Sequence, residues 1–148
     1  MKVIYPVLFY EEKQNEYSVF VPDLANTLNT NASTCGNTLE EAICMAEDLI
    51  AGLILDEIEI GNKIPKASKI EEISFEEWES KLEIKSKDYI SKFKTYVIVD
   101  INTFAEKWGK ELIKKTVNIP KWVNTKAEKL KINFSKTLEE ALLEKICK

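Results

Sequence analysis

Histidine and arginine are both absent from this 148-residue sequence, and glycine, proline and cysteine are sparse at four, four and three residues. Each shortage excludes something. With no His and only Cys35, Cys44 and Cys147, widely spaced and odd in number, neither a zinc site nor a disulfide framework is indicated. Four glycines build no glycine-rich phosphate loop, and no nucleophile constellation of any kind stands out. Without Arg, the fork-shaped contact to guanine is lost, whereas neutralisation of phosphate by Lys survives. No apolar run approaches membrane-spanning length, and the N-terminus opens on a strand pattern rather than a signal peptide. The expectation is a cytoplasmic, non-enzymatic protein with reduced thiols and no cofactor or metal.

What is present is a globular composition, 45% hydrophobic and 31% charged, with a net charge of −4. That charge is unevenly spread. Residues 1–109 carry 11 Lys and 20 acidic residues, a balance of −9, whereas residues 110–148 carry 10 Lys and 5 Glu, a balance of +5. An acidic body and a basic arm have the signs that attract a basic protein and a phosphate backbone respectively. The expected division is therefore a domain at 1–109 and a second at 110–148.

In the first domain, Val3 to Tyr10 is apolar at both parities, which predicts a strand covered on both faces, with Pro6 near an edge or a bulge. Tyr17 to Pro22 predicts its antiparallel hairpin partner, Asp23 to Asn31 a polar loop, and Ala32 to Gly36 a short third strand. Thr38-Leu39-Glu40-Glu41 is a capping box that opens the strongest helix, whose stripe runs from Leu39 to Ile54 and must lie across the sheet. Ser74 to Glu77 is a second capping box. Thr95 to Ile101 is a β-branched run expected to join the sheet, with Asn102 capping a short helix that Gly109 ends.

The C-terminal segment carries the sharpest signal. Ile113, Val117 and Ile119 fall on one parity and Lys114, Thr116 and Asn118 on the other, until Pro120 stops the strand. Trp122, Val123, Ala127 and Leu130 then share one helical face, and Phe134, Leu138, Ala141, Leu142 and Ile146 another, with Asn133 placed to cap the second helix. A lone strand with two short helices cannot satisfy itself, so two copies are expected to pair as a ribbon-helix-helix dimer. Val117, Ile119, Trp122, Leu130, Leu138 and Leu142 would form the dimer core. The polar parity, Lys114, Thr116 and Asn118, would face the major groove of double-stranded operator DNA, and Asn133, Phe134 and Ser135 would position a phosphate at a helix start.

Three segments of the first domain, Tyr5-Pro6-Val7, Tyr17 through Leu24 with Val21-Pro22-Asp23-Leu24, and Gly36 through Ala42, resemble the amino-terminal domain of HicB antitoxins. Lys114 through Trp122 followed by Ile132-Asn133-Phe134-Ser135 resembles the carboxy-terminal ribbon-helix-helix of the longer members. The resemblance implies an α+β chain: a partial ribonuclease-H-like domain of antiparallel sheet plus helix, without nuclease activity, that occludes a HicA-type messenger-RNA-cleaving toxin. It also implies repression of the operon through the arm, as a homodimer or as a tetramer that grips successive half-sites. Where relatives continue the Pro-Asp-Leu motif with Pro-Gly-Cys, this chain has Ala25-Asn26-Thr27.

Asp23, Asp48, Asp56 and Asp100 are the acids a metal-dependent nuclease of such a fold would need, but no motif brings them together, and they read as surface acids. The competing class is a stand-alone ribbon-helix-helix repressor with a ligand-sensing N-terminal domain.

Overall fold

The computed structural model describes residues 1–109 and 112–146, and its chain divides into two compact units, Met1–Glu111 and Leu112–Lys148. The expectation that Cys147 is a reduced thiol, and the assignment of the Ile146 side chain to a helix face, lie outside the described residues, whereas Cys35 and Cys44 are free and exposed.

The first unit is built on a four-stranded, wholly antiparallel sheet in the order β3-β2-β1-β4, with β1 at Lys2–Lys13, β2 at Glu16–Phe20, β3 at Ser33–Gly36 and β4 at Ser91–Asp100. β1 is apolar at both parities because both of its faces are covered. Tyr5, Val7 and Phe9 join one core with Ala42, Ala46, Ile50 and Ile54 of the long helix α2 (Leu39–Glu59). Leu8 and Tyr10 join a second core with Ile73 and Trp78, the latter on helix α3 (Phe75–Leu82).

Pro6 sits in a strand that is central rather than at the edge. It pairs with Tyr96 of β4, but β2 ends at Phe20 opposite Leu8, so on that side the sheet has no strand beside it. The edge that proline requires is local, two residues beyond the end of a neighbour.

The capping box at Thr38 forms with one shift. The Glu41 N–H donates to the Thr38 hydroxyl at 3.0 Å, and the Glu41 carboxylate accepts from the Asn37 N–H at 2.6 Å, one residue before the cap. Its helix is longer than the apolar stripe alone, 21 residues and about 32 Å at 1.5 Å per residue. Gly36 makes the tight entry possible: a Cβ there would stand 2.4 Å from the Ala42 nitrogen. The Ser74 hydroxyl caps α3 by accepting from the Glu77 N–H at 3.3 Å.

Two expectations are corrected. The segment read as a loop from Asp23 holds a helix, α1 (Pro22–Leu28), with proline in its first turn and Asn29 left-handed at its end. The helix after β4, α4 (Ile101–Lys107), is capped by Asp100, whose carboxylate accepts from the Asn102 N–H at 3.2 Å, so Asn102 lies inside the helix.

The second unit holds α5 (Lys121–Lys129) and α6 (Phe134–Ile146), joined through a left-handed Lys131. Asn133 caps α6, its side-chain oxygen accepting from the Lys136 N–H at 3.1 Å. Residues 112–120, where the sequence pattern predicts a strand, are exposed and form no strand in the single chain.

Candidate functional site

Two surfaces stand out, one in each unit. The basic one is unusually bare. Among the described side chains of the second unit only Ala127 is buried, whereas Leu112, Ile113, Trp122 and Leu130 are each more than three-fifths exposed. Val117, Ile119, Phe134, Leu138 and Leu142 are exposed as well. Among the described residues of this unit the large apolar side chains are left in water and close no core of their own.

Of the sequence-predicted site residues, Lys114 and Ser135 come together on a groove of about 730 Å³ whose walls include Leu112, Ile113, Leu138 and Leu142. Thr116 and Asn118 lie on the exposed segment 112–120 outside that groove, and Asn133 is engaged as the α6 cap. Trp122 lines a separate shallow cleft with Lys121, Thr125, Lys126 and Lys129, a patch that joins an indole face to three ammonium groups.

The second surface lies beside α1. Asp23 is not a surface acid: it is buried and accepts two hydrogen bonds from Ser68, one from the N–H at 2.9 Å and one from the hydroxyl at 2.7 Å. It lines a cleft of about 300 Å³ with Asn26, Glu77, Trp78 and Lys81. Lys81 donates to the Asn26 side chain and lies over the Trp78 ring, while the buried Trp78 indole N–H has no hydrogen-bond partner among the described residues. Sequence reasoning missed Ser68 and Trp78 as members of this cleft. The only local hint was Asp23 itself, an acid directly after the proline of a helix first turn.

Burial and the negative charge of Asp23 push the Tyr5 phenol up to about 12, and that phenol donates to the Pro65 carbonyl below the sheet. On the other face, burial and then Glu79 hold the Tyr10 phenol well above its ordinary range. The hydrogen bond from Lys92 to Glu79, at 2.6 Å, likewise raises the Lys92 ammonium.

The other three aspartates are dispersed. Asp48 pairs with Lys107 at 3.3 Å, and Asp100 caps α4 beside the N-terminal amine, while Asp56 is a residue of α2. No metal-binding group of acids, Cys or His occurs among the described residues, and none of the described helices is long and apolar enough to cross a membrane. The long helix α2 carries seven acids and no Lys, so the negative charge of this unit is concentrated along one element.

These features define a two-unit α+β chain, an acidic folded body and a basic unit whose described apolar side chains are left exposed. The chain belongs to the HicB-like antitoxin family of bacterial toxin-antitoxin systems, whose family model matches residues 5–142. It is similar to a chain of a toxin-antitoxin complex from Streptococcus pneumoniae, at 29% identity over 98% of this chain and 99% of that one, with a TM-score of 0.57. It is also similar to the antitoxin HicB of Burkholderia pseudomallei, at 21% identity over 97% and 96% of the two chains, with a TM-score of 0.46. A comparison with curated proteins gives no significant match.

Proposed function

We propose that this antitoxin neutralises a HicA-type, messenger-RNA-cleaving toxin through its acidic N-terminal unit, of partial ribonuclease-H-like fold, and represses its own operon through a ribbon-helix-helix dimer of its C-terminal unit. The toxin is a basic, RNA-binding protein on this reading, and the acidic body competes with RNA phosphate for its cationic groups. The mechanism is occlusion, with no chemistry performed by the antitoxin itself.

The observation that carries the DNA-binding half is the bare second unit. Ile113, Val117 and Ile119 on one parity, with Leu138 and Leu142 on α6, are exposed in one chain and would be buried by a second. In such a dimer Lys114, Thr116 and Asn118 of both copies form a two-stranded ribbon of the width that enters the major groove. Asn133, Phe134 and Ser135 put the N-terminus of α6 at the flanking phosphate. The charge split supports the same division of labour, −9 for residues 1–109 and +5 for the remainder.

Coexpression with the adjacent small open reading frame tests the toxin half. Growth arrest by that product alone, relieved by this protein, is the expected result; a harmless product, or arrest that persists, overturns it. Retardation of the upstream DNA by the purified protein tests the other half.

A stand-alone repressor that senses a small ligand is the second reading, and the cleft between Asp23 and Trp78, with its unsatisfied indole donor, favours it. A copurifying small molecule that is lost in Trp78→Phe would support that reading.

A further inference from the structure

Helix α5 has two opposite faces, and its own unit uses only one of them. Val123 is half-buried and Ala127 buried on the inner side. At 3.6 residues per turn Lys121, Trp122, Thr125, Lys126 and Lys129 fall within an arc of about 140° on the other side. The sequence pattern groups Trp122 with Val123 and Ala127, but the indole stands apart from them, 70% exposed.

These five side chains line a cleft of about 570 Å³, which joins one aromatic face to three ammonium groups. The residues that carry them span about 12 Å of helix at 1.5 Å per residue. Nothing on the helix cancels the charge. Glu128, the acid of α5, accepts from the Asn124 amide at 3.1 Å, and none of the three lysines pairs with an acid among the described residues. The Thr125 hydroxyl is turned back onto the Lys121 carbonyl at 3.0 Å.

A ligand for this face is a polyanion that also offers a flat surface to an indole. Duplex nucleic acid has the charge, but its bases are stacked on one another and it presents sugar and phosphate to a flat ring. RNA offers unpaired bases in its loops and ends, and these stack on aromatic side chains while their phosphates reach lysine. A second copy of this chain does not fit, since an isologous contact over the indole would set the ammonium groups of one copy against those of the other.

We propose that the outer face of α5 binds single-stranded RNA, with an unpaired base stacked on Trp122 and the flanking phosphates on Lys121, Lys126 and Lys129. The cleft is of a size that takes a nucleotide. Stacking tolerates any base, so the face grips a strand without reading its sequence. This contact does not depend on the proposed ribbon, which meets duplex DNA through residues before Pro120.

Titration of the full-length protein against a labelled, unstructured single-stranded RNA of about twelve nucleotides tests it. Trp122→Ala should weaken binding about tenfold, the loss of one stacked base, and Trp122→Phe, which keeps a ring, should retain most of the affinity. Lys121→Ala, Lys126→Ala and Lys129→Ala combined should flatten the dependence of log K on log salt by about 2, at about 0.7 per phosphate contact on a single strand. Lys114→Ala should leave strand binding unchanged, and binding to a blunt duplex of the same sequence should not respond to Trp122→Ala. A wild-type protein that binds no single strand, or a Trp122→Ala protein with wild-type affinity, overturns the proposal. Equal losses on strand and duplex also overturn it, because the face is then a backbone contact for duplexes. A loss at Lys114→Ala as large as that at Trp122→Ala does so too, because the strand then lies on the ribbon. Sedimentation of Trp122→Ala provides the last check: a mass reduced to half that of wild type places the indole in a protein interface and overturns the assignment to RNA.

Discussion

Asp23 and Ser68 lie 45 positions apart in the chain and are joined by two hydrogen bonds, from the Ser68 N–H and the Ser68 hydroxyl to the two carboxylate oxygens of one buried side chain. The pair fastens the connection after α2 onto the first turn of α1. Asp23→Ala strands a backbone N–H and a hydroxyl at a part-buried site, and should cost about 1–3 kcal/mol. Ser68→Ala removes only the hydroxyl bond and should cost about 1 kcal/mol. Urea midpoints at constant slope give both values, and equal losses would mean that the backbone bond contributes nothing.

This contact also marks where the sequence was readable and where it was not. β1, the β1–β2 hairpin, β3 and α2 follow from patterns within a few residues of each other, namely parity, a short polar turn and a capping threonine. α1 was hidden because seven residues hold under two turns, its cap Val21 has no side-chain bond, and Asn26 and Thr27 favour loops locally. Its stability comes from Leu24 buried in the α2-side core, a long-range fact. Asp23 was misread as a surface acid for the same reason: its partner is remote. In the arm, Ile113, Val117 and Leu138 are exposed in one chain together with the residues of the opposite parity, and the dimer and DNA roles of those positions rest on the proposal above.

The Tyr5 phenol sets an alkaline limit. Below about pH 10, the ordinary phenol value, folded and unfolded chains both keep the proton and stability is independent of this group. Between there and the folded value of about 12 the unfolded chain releases the proton first, so stability falls as pH rises. Tyr5→Phe should flatten this limb while lowering stability at pH 7 through loss of the bond to the Pro65 carbonyl. Thermal melts from pH 8 to pH 12 measure both effects, and parallel limbs for the two proteins would exclude Tyr5 as the cause.

The junction between β3 and α2 should be intolerant of a single methyl group. At Gly36 an added Cβ would meet the Ala42 nitrogen at 2.4 Å and its Cα at 2.7 Å, both backbone atoms that cannot swing away. Gly36→Ala must therefore displace the start of α2, at a cost of about 1–3 kcal/mol or more. Thr38→Ala, two residues on, removes the cap to the Glu41 N–H and should cost about 1 kcal/mol with no change of backbone. The expected order in thermal melting is wild type, then Thr38→Ala, then Gly36→Ala. A Gly36→Ala protein as stable as wild type would show that the entry to α2 is looser than these distances require.

The proposed DNA-binding arm would separate grip from reading. Lys114 and Asn118 belong to the same parity, but an ammonium group neutralises phosphate whatever the sequence, whereas an amide can pair with the edge of a particular base. Lys114→Ala should weaken binding to all DNA and flatten the dependence of log K on log salt by about 0.9 per lost phosphate contact, so by about 2 in a dimer altered in both copies. Asn118→Ala should leave that slope unchanged and reduce the preference for operator over unrelated DNA by about 1–3 kcal/mol per lost base contact. On the proposed ribbon reading, with no Arg in the chain, specificity would come from Thr116, Asn118 and the lysines, so the loss at Asn118 should be a large share of the total. Titration of both variants against operator and scrambled duplexes at several salt concentrations decides the matter. Unchanged operator affinity in both would remove the ribbon as the DNA-reading element.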